Sequence, residues 1–240
     1  MLPSDMTFAH GAAVAVLLSC WFSYTAVLKT IGRGSLNVQL ATVRRRWIER
    51  LTHRSVKPFD AILLGQIVNA IAFFGSATLL VLAGVITAFA ALKGVHATVQ
   101  DLDFISSVSL ELFALQLGFL GFILALCFFS FTYALRKLIY VLALAGALPD
   151  QEEDTPDHDA MREATAAVLS EAVKTFNFGI RGYYYAVAAL AMFISPWGSI
   201  IVSIFVTIAL FYRQLGTPTA RAIQRYVEAQ HADEQRGHKT

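Results

Sequence analysis

The chain has 240 residues, 56% of them hydrophobic and 15% charged, with a mean hydropathy of +0.58; a soluble domain carries about a quarter charged residues, so that class is excluded. A formal net charge of +2 supplies no global positive field, which argues against a nucleic-acid binder. Two cysteines, Cys20 and Cys127, lie in apolar runs; they exclude a disulfide framework and read as buried, inert thiols.

The first apolar run predicts a helix from Phe8 to Leu28, with Lys29 at its inner end. Its AVLLSC (15–20) resembles a lipoprotein cleavage box, but no Lys or Arg precedes it and the chain stays apolar after Cys20, so a retained membrane helix is expected.

Residues 29–60 hold eight Lys or Arg against Glu49 and Asp60. Within them Leu36, Leu40, Val43, Trp47 and Leu51 recur at helical spacing, while Arg44, Arg45, Arg46, Arg50 and Arg54 fill the rest of the wheel. The pattern predicts an interfacial helix over 36–51, its arginines meeting anionic headgroups at about 1 kcal/mol each.

Two further blocks, 61–92 and 110–148, exceed the roughly 20 residues that cross a bilayer. Gln66 and Asn69 stand near the start of the first. In the second, Arg136 and Lys137 mark an exit near residue 135, so LIYVLALAGAL (138–148) is expected to continue outside the bilayer and pack on something. The linker 93–109 holds only Lys93 with Asp101 and Asp103, whereas 136–182 has five basic residues. By the positive-inside rule 29–60 and 136–182 are cytoplasmic and 93–109 external, which puts the N-terminus outside.

DQEEDTPDHD (150–159) lacks the glycine and distal glutamate of a calcium loop and reads as a solvated acidic loop within 149–176. An amphipathic helix over 157–176 follows, its stripe running from Met161 through Val168 and Leu169 to Phe176.

The last block carries Pro196 at its middle, in MFISPWGSII (192–201). One straight helix over 183–212 would run about 45 Å and bury Trp197 at mid-bilayer. A turn at SPWGS (195–199), with 176–194 rising and 197–212 returning, takes Trp197 to an interface and returns the Arg213 tail to the basic side; a kinked single crossing is the alternative. Beyond residue 225 a disordered tail, 226–240, is expected after a single membrane domain, 1–225.

TFNFGIRGYYYAVAALAMFISPW (175–197), FYRQ (211–214), AFFGSATLLVLAGVITAFAA (72–91) and RRRWIERL (44–51) resemble the bacterial integral membrane family catalogued as domain of unknown function 599. The likeness spans roughly residues 8 to 225 and implies no activity, substrate or catalytic residue.

Zinc-protease, nucleophile-elbow and phosphate-loop motifs are not found in the sequence, so no catalytic residue, cofactor or metal is assigned and an enzyme is not expected. Polar groups at membrane depth are the functional candidates: Arg181 above all, with Asn177, Gln66, Asn69 and Gln116. The expectation is an all-α polytopic protein of the bacterial inner membrane, with three spanning helices, a C-terminal block broken at Pro196 and cytoplasmic amphipathic helices. It would act as a non-catalytic accessory or scaffold contacting membrane lipids, a membrane-protein partner or further copies of itself, and no nucleic acid. A transporter or channel for ions or small solutes is the alternative.

Overall fold

The computed structural model describes residues 3–31, 35–52, 58–102, 107–149 and 157–237. Every regular element among them is an α-helix: α1 (Phe8–Ile31), α2 (Leu36–Leu51), α3 (Pro58–Ala90), α4 (Leu92–Gln100), α5 (Leu110–Gly146), α6 (His158–Ala191), α7 (Pro196–Leu215) and α8 (Pro218–Gly237). Four stretches of the described residues are long and apolar enough to cross a membrane: Phe8–Thr30, Phe59–Ala90, Leu110–Gly146 and the one that opens with α7 at Pro196. Three helices, α3, α7 and α8, begin on a proline. At the first helical position the missing N–H is one that no helix could use and the fixed φ is already helical. Pro196 therefore starts a helix; the interruption is the turn before it, where the amides of Met192, Phe193 and Ile194 bond three residues back.

Several expected boundaries move. No break separates an amphipathic helix ending at 176 from a membrane segment over 176–194: α6 runs unbroken, because nothing between Phe176 and Ala191 is a stronger breaker than Gly179 and Gly182. Its second half is not among the four apolar stretches, since Asn177, Arg181 and three tyrosines dilute it. Part of the 93–109 linker is helical as α4. α5, by contrast, runs through Arg136 to Gly146 with Leu138 and Val141 on that extension fully buried, the continuation and packing expected of 138–148. The expected tail is instead the second half of α8, whose Ala220 and Val227 are buried and whose Gln224 donates to Glu228 one turn on. Residues 150–156 of the acidic loop lie outside the described residues.

The chain divides into two compact units: Met1–Thr25, Ile71–Thr132 and Thr175–Ile208 form the first, and Ala26–Ala70, Tyr133–Lys174 and Ala209–Thr240 the second. The core of the first unit is aromatic. Trp21 stacks on Phe178 at 5.0 Å and Phe131 lies 5.6 Å from Phe176. The Tyr185 hydroxyl meets Thr207 Oγ1 at 2.8 Å, although one straight helix would hold these residues roughly 33 Å apart. α6 and α7 are thus a hairpin, and the kinked single span is excluded. Gln116 Nε2 donates to the Met192 carbonyl at 3.3 Å, occupying one of the carbonyls that the end of α6 leaves open. At the start of α5, Ser109 Oγ accepts from Leu112 N at 3.2 Å as a helix cap. Asp5 in turn accepts from Ser109 N at 2.6 Å and from Ser109 Oγ at 2.7 Å.

In the second unit α2 packs against α8, and Asn37 N donates to Gln214 Oε1 at 3.2 Å. Ile48 is fully buried here, as are Leu138, Val141 and Leu169. The buried pole of α2 is therefore Ile48, one position round the wheel from the apolar stripe read in the sequence. Leu36, Leu40, Val43, Trp47 and Leu51 are each only half-buried. Trp47 uses its polar edge instead, donating from Nε1 to Asp60 Oδ1 in the first turn of α3 at 2.7 Å.

Candidate functional site

Arg181, the leading candidate from the sequence, is nine-tenths covered, with 7% of its surface exposed. Two glycines bring this about. A Cβ at Gly179 would sit 2.7 Å from the Phe131 ring, and one at Gly182 would run into Cys127 Sγ and the Trp21 ring. Only glycine lets α6 lie this close to α5 and α1. Between those positions the guanidinium of Arg181 donates from Nη2 to Thr25 Oγ1 at 2.9 Å. It also lies 4.8 Å from the centroid of Tyr24 and 5.9 Å from that of Phe178. Among the described residues no carboxylate pairs with it, and Nε is buried with no hydrogen-bond partner. Ring faces and one hydroxyl carry the charge.

The other candidates are dispersed. Gln116 is buried and spends its amide nitrogen on the Met192 carbonyl, while its Oε1 has no partner. Asn177 is half-buried four residues before Arg181. Gln66 and Asn69 are exposed on α3. Other polar groups of the first unit tie helix to helix: Tyr183 OH bonds Thr78 Oγ1 and donates to the Phe74 carbonyl at 3.2 Å.

The second unit holds a polar cleft of about 770 Å³ that sequence reasoning missed. α2 contributes Thr42, Arg45, Arg46 and Glu49; α6 contributes Asp159, Arg162 and Glu163; α8 contributes Gln230, His231 and Asp233. Charges of both signs interleave: Arg45 lies 3.6 Å from Glu163, Arg46 2.8 Å from Glu49 and Arg162 3.1 Å from Asp159. Arg162 Nε and Gln230 Oε1 are buried there without a hydrogen-bond partner. Three of its lining residues, Gln230, His231 and Asp233, lie in 226–237, where a disordered tail is expected from the sequence. The apolar repeat of Ala220 and Val227 was the available signal.

Of the arginines assigned to headgroups, Arg44 donates from Nε to Ser170 Oγ at 3.3 Å, and burial lowers its pKa. Arg45 and Arg46 line the cleft, Arg50 is exposed, and Arg54 lies outside the described residues.

Among the described residues, eight helices, four apolar stretches of membrane-crossing length and a hairpin define a polytopic helical membrane protein. Its family follows from direct comparison: the model of the family described as "Protein of unknown function, DUF599" matches residues 12–219, and the chain belongs to that family. No curated protein and no solved structure matches the chain.

Proposed function

We propose that the protein is a non-catalytic accessory or scaffold of a bacterial inner membrane, whose amphipathic helices α2 and α8, with the start of α6, face the cytoplasm and dock a partner protein in the cleft between them. The observation that carries this reading is the cleft itself. Its Arg45–Glu163 pair is exposed on both sides and long enough, at 3.6 Å, to exchange partners, and a mixed-charge lining selects a complementary protein surface more readily than an apolar or singly charged solute. The cytoplasmic side rests on the eight basic residues of 29–60, and the bacterial inner membrane is the setting in which that charge rule is read. Membrane lipids remain contacts for exposed Arg50.

A photo-crosslinker at Arg45 in living cells is expected to capture a protein other than the chain itself. Glu163→Lys, which reverses one wall of the cleft, is expected to reduce that capture at unchanged protein level. Purification as a lone monomer from gentle detergent, with no foreign adduct in cells, would overturn the proposal.

The buried and partly unpartnered guanidinium of Arg181 favours a second reading, a transporter or channel for ions or small solutes. Flux through proteoliposomes, abolished by Arg181→Gln at normal protein level, would support it; no flux for any ion or small solute would remove it.

A further inference from the structure

α3 leaves most of its circumference open, and much of that surface is large and apolar, Leu79, Val81, Ile86 and Phe89 included, but one row on it is not composed as a lipid-facing surface. Asn69, Phe73, Ser76, Leu80, Ala83 and Thr87 are all exposed. Their spacing alternates four and three, the heptad repeat of a helix that winds with a neighbour. Gln66, also exposed, extends the row one step toward the start of the helix. Large residues alternate with small or polar ones: Phe73 and Leu80, 68% and 75% exposed, stand out beside Ser76 and Ala83. Such a surface fits ridges into recesses of its like.

The polar members supply the second argument. Asn69 is the twelfth residue of α3, about 16 Å along its axis, and lies within the stretch fit to cross a membrane. Neither Asn69 nor Gln66 hydrogen-bonds any described residue. A carboxamide facing acyl chains leaves two donors and an acceptor unmet, at a cost of several kcal/mol. Leu, Ile or Phe would be at home there; Asn, Ser and Ala are the residues of helix–helix contacts in a bilayer.

We infer that α3 is the self-association face of the protein, covered by α3 of a second copy in a parallel pair. A second copy fits this row in a way that another helix has no need to. Every copy inserts with the same orientation and depth, so a two-fold axis along the membrane normal sets Asn69 opposite Asn69 and Ser76 opposite Ser76. A carboxamide donates and accepts, so it is its own complement, and the face carries no charge to repel its twin. This pairing does not depend on the docking cleft or on the partner proposed for it.

Single cysteines introduced by Ser76→Cys, Ala83→Cys and Val81→Cys, in a chain with Cys20 and Cys127 replaced by alanine, test the pairing by mild oxidation in native membranes. Val81 is equally exposed to the bilayer but lies roughly 140° round the helix from Ser76. A disulfide-linked species of twice the chain mass is expected from Ser76→Cys and Ala83→Cys and not from Val81→Cys. Asn69→Leu added to Ser76→Cys is expected to lower the dimer yield about five-fold, while total protein stays constant. Equal crosslinking at all three positions, no crosslinking at any, or an adduct of a different mass would each overturn the second-copy assignment.

Discussion

The hydroxyls of Tyr185 and Thr207 lie 2.8 Å apart across a separation of 22 residues. This contact requires α7 to run back along α6. It agrees with the packing of α8 on α2, and with the bond from the Asn37 amide to Gln214. Helix α2 and the C-terminal helix must therefore share one side of the membrane. Cysteines introduced at Arg45 and Tyr226 are expected to react from the same side with a membrane-impermeant maleimide. Labelling of the two positions from opposite sides would dismantle the hairpin and the α2–α8 contact together.

Much of this fold is legible in the sequence, and the parts that are not share a cause. The bounds of α2 follow from its period, and the turn before Pro196 follows from a proline and a tryptophan that a single span would place badly. Arg181 stands out because a charge between two glycines in an apolar block has few reasons to be there. Periodicity shows which face of α2 is apolar and not what covers it, so the burial of Ile48 and the turning of Arg44 toward Ser170 were out of reach. The cleft was hidden for the same reason. It joins residues of α2, α6 and α8 from positions 42 to 233, and no local pattern marks that meeting.

Gly182 faces Cys127 and Trp21 with no room for a methyl group. Gly182→Ala is expected to cost about 1–3 kcal/mol through overpacking, seen as a lower midpoint of thermal unfolding in detergent. Gly84→Ala is the control, because a Cβ there meets nothing within 4 Å. Helix propensity favours alanine at both positions, so an equal loss in both would show that detergent, and not close approach at Gly182, sets the outcome.

Arg181 is held by a hydroxyl and two rings, a geometry that a planar guanidinium fits and an ammonium does not. Arg181→Lys is therefore expected to lose about 1–2 kcal/mol despite keeping the charge. Thr25→Val should lose less, and the double variant less than the sum, with a coupling of about 0.6 kcal/mol, the average for hydrogen bonds between membrane helices. Strict additivity in thermal or denaturant unfolding would mean the Arg181–Thr25 bond contributes nothing.

Asp60 is 3% exposed and accepts from Trp47. Trp47→Phe keeps most of the apolar bulk and deletes the donor, leaving a buried carboxylate short of one bond. A hydrogen bond to a charged group contributes about 1.5–3 kcal/mol, and a loss of that order is expected in thermal unfolding. Trp47→Phe combined with Asp60→Asn should recover part of it, because the neutral amide costs less to leave unmet. A double variant less stable than Trp47→Phe alone would assign Asp60 to partners other than Trp47.

The Asp5 clamp on Ser109 gives the protein a pH-dependent element. Bonds from the Ser109 amide, and then from its hydroxyl, hold the Asp5 carboxyl below its ordinary value of 3.8. A carboxyl whose folded pKa is depressed contributes stability that is complete above the ordinary value and lost as pH falls through the folded one. Asp5→Asn keeps an acceptor for Ser109 but removes the charge, so its melting temperature should lie below that of the wild-type chain at pH 6 by a fixed margin. The margin should hold down to about pH 5 and then close as the solution is taken below the ordinary carboxyl value of 3.8. A margin that stays constant down to pH 2.5 would show that the charge on Asp5 takes no part in holding the start of α5.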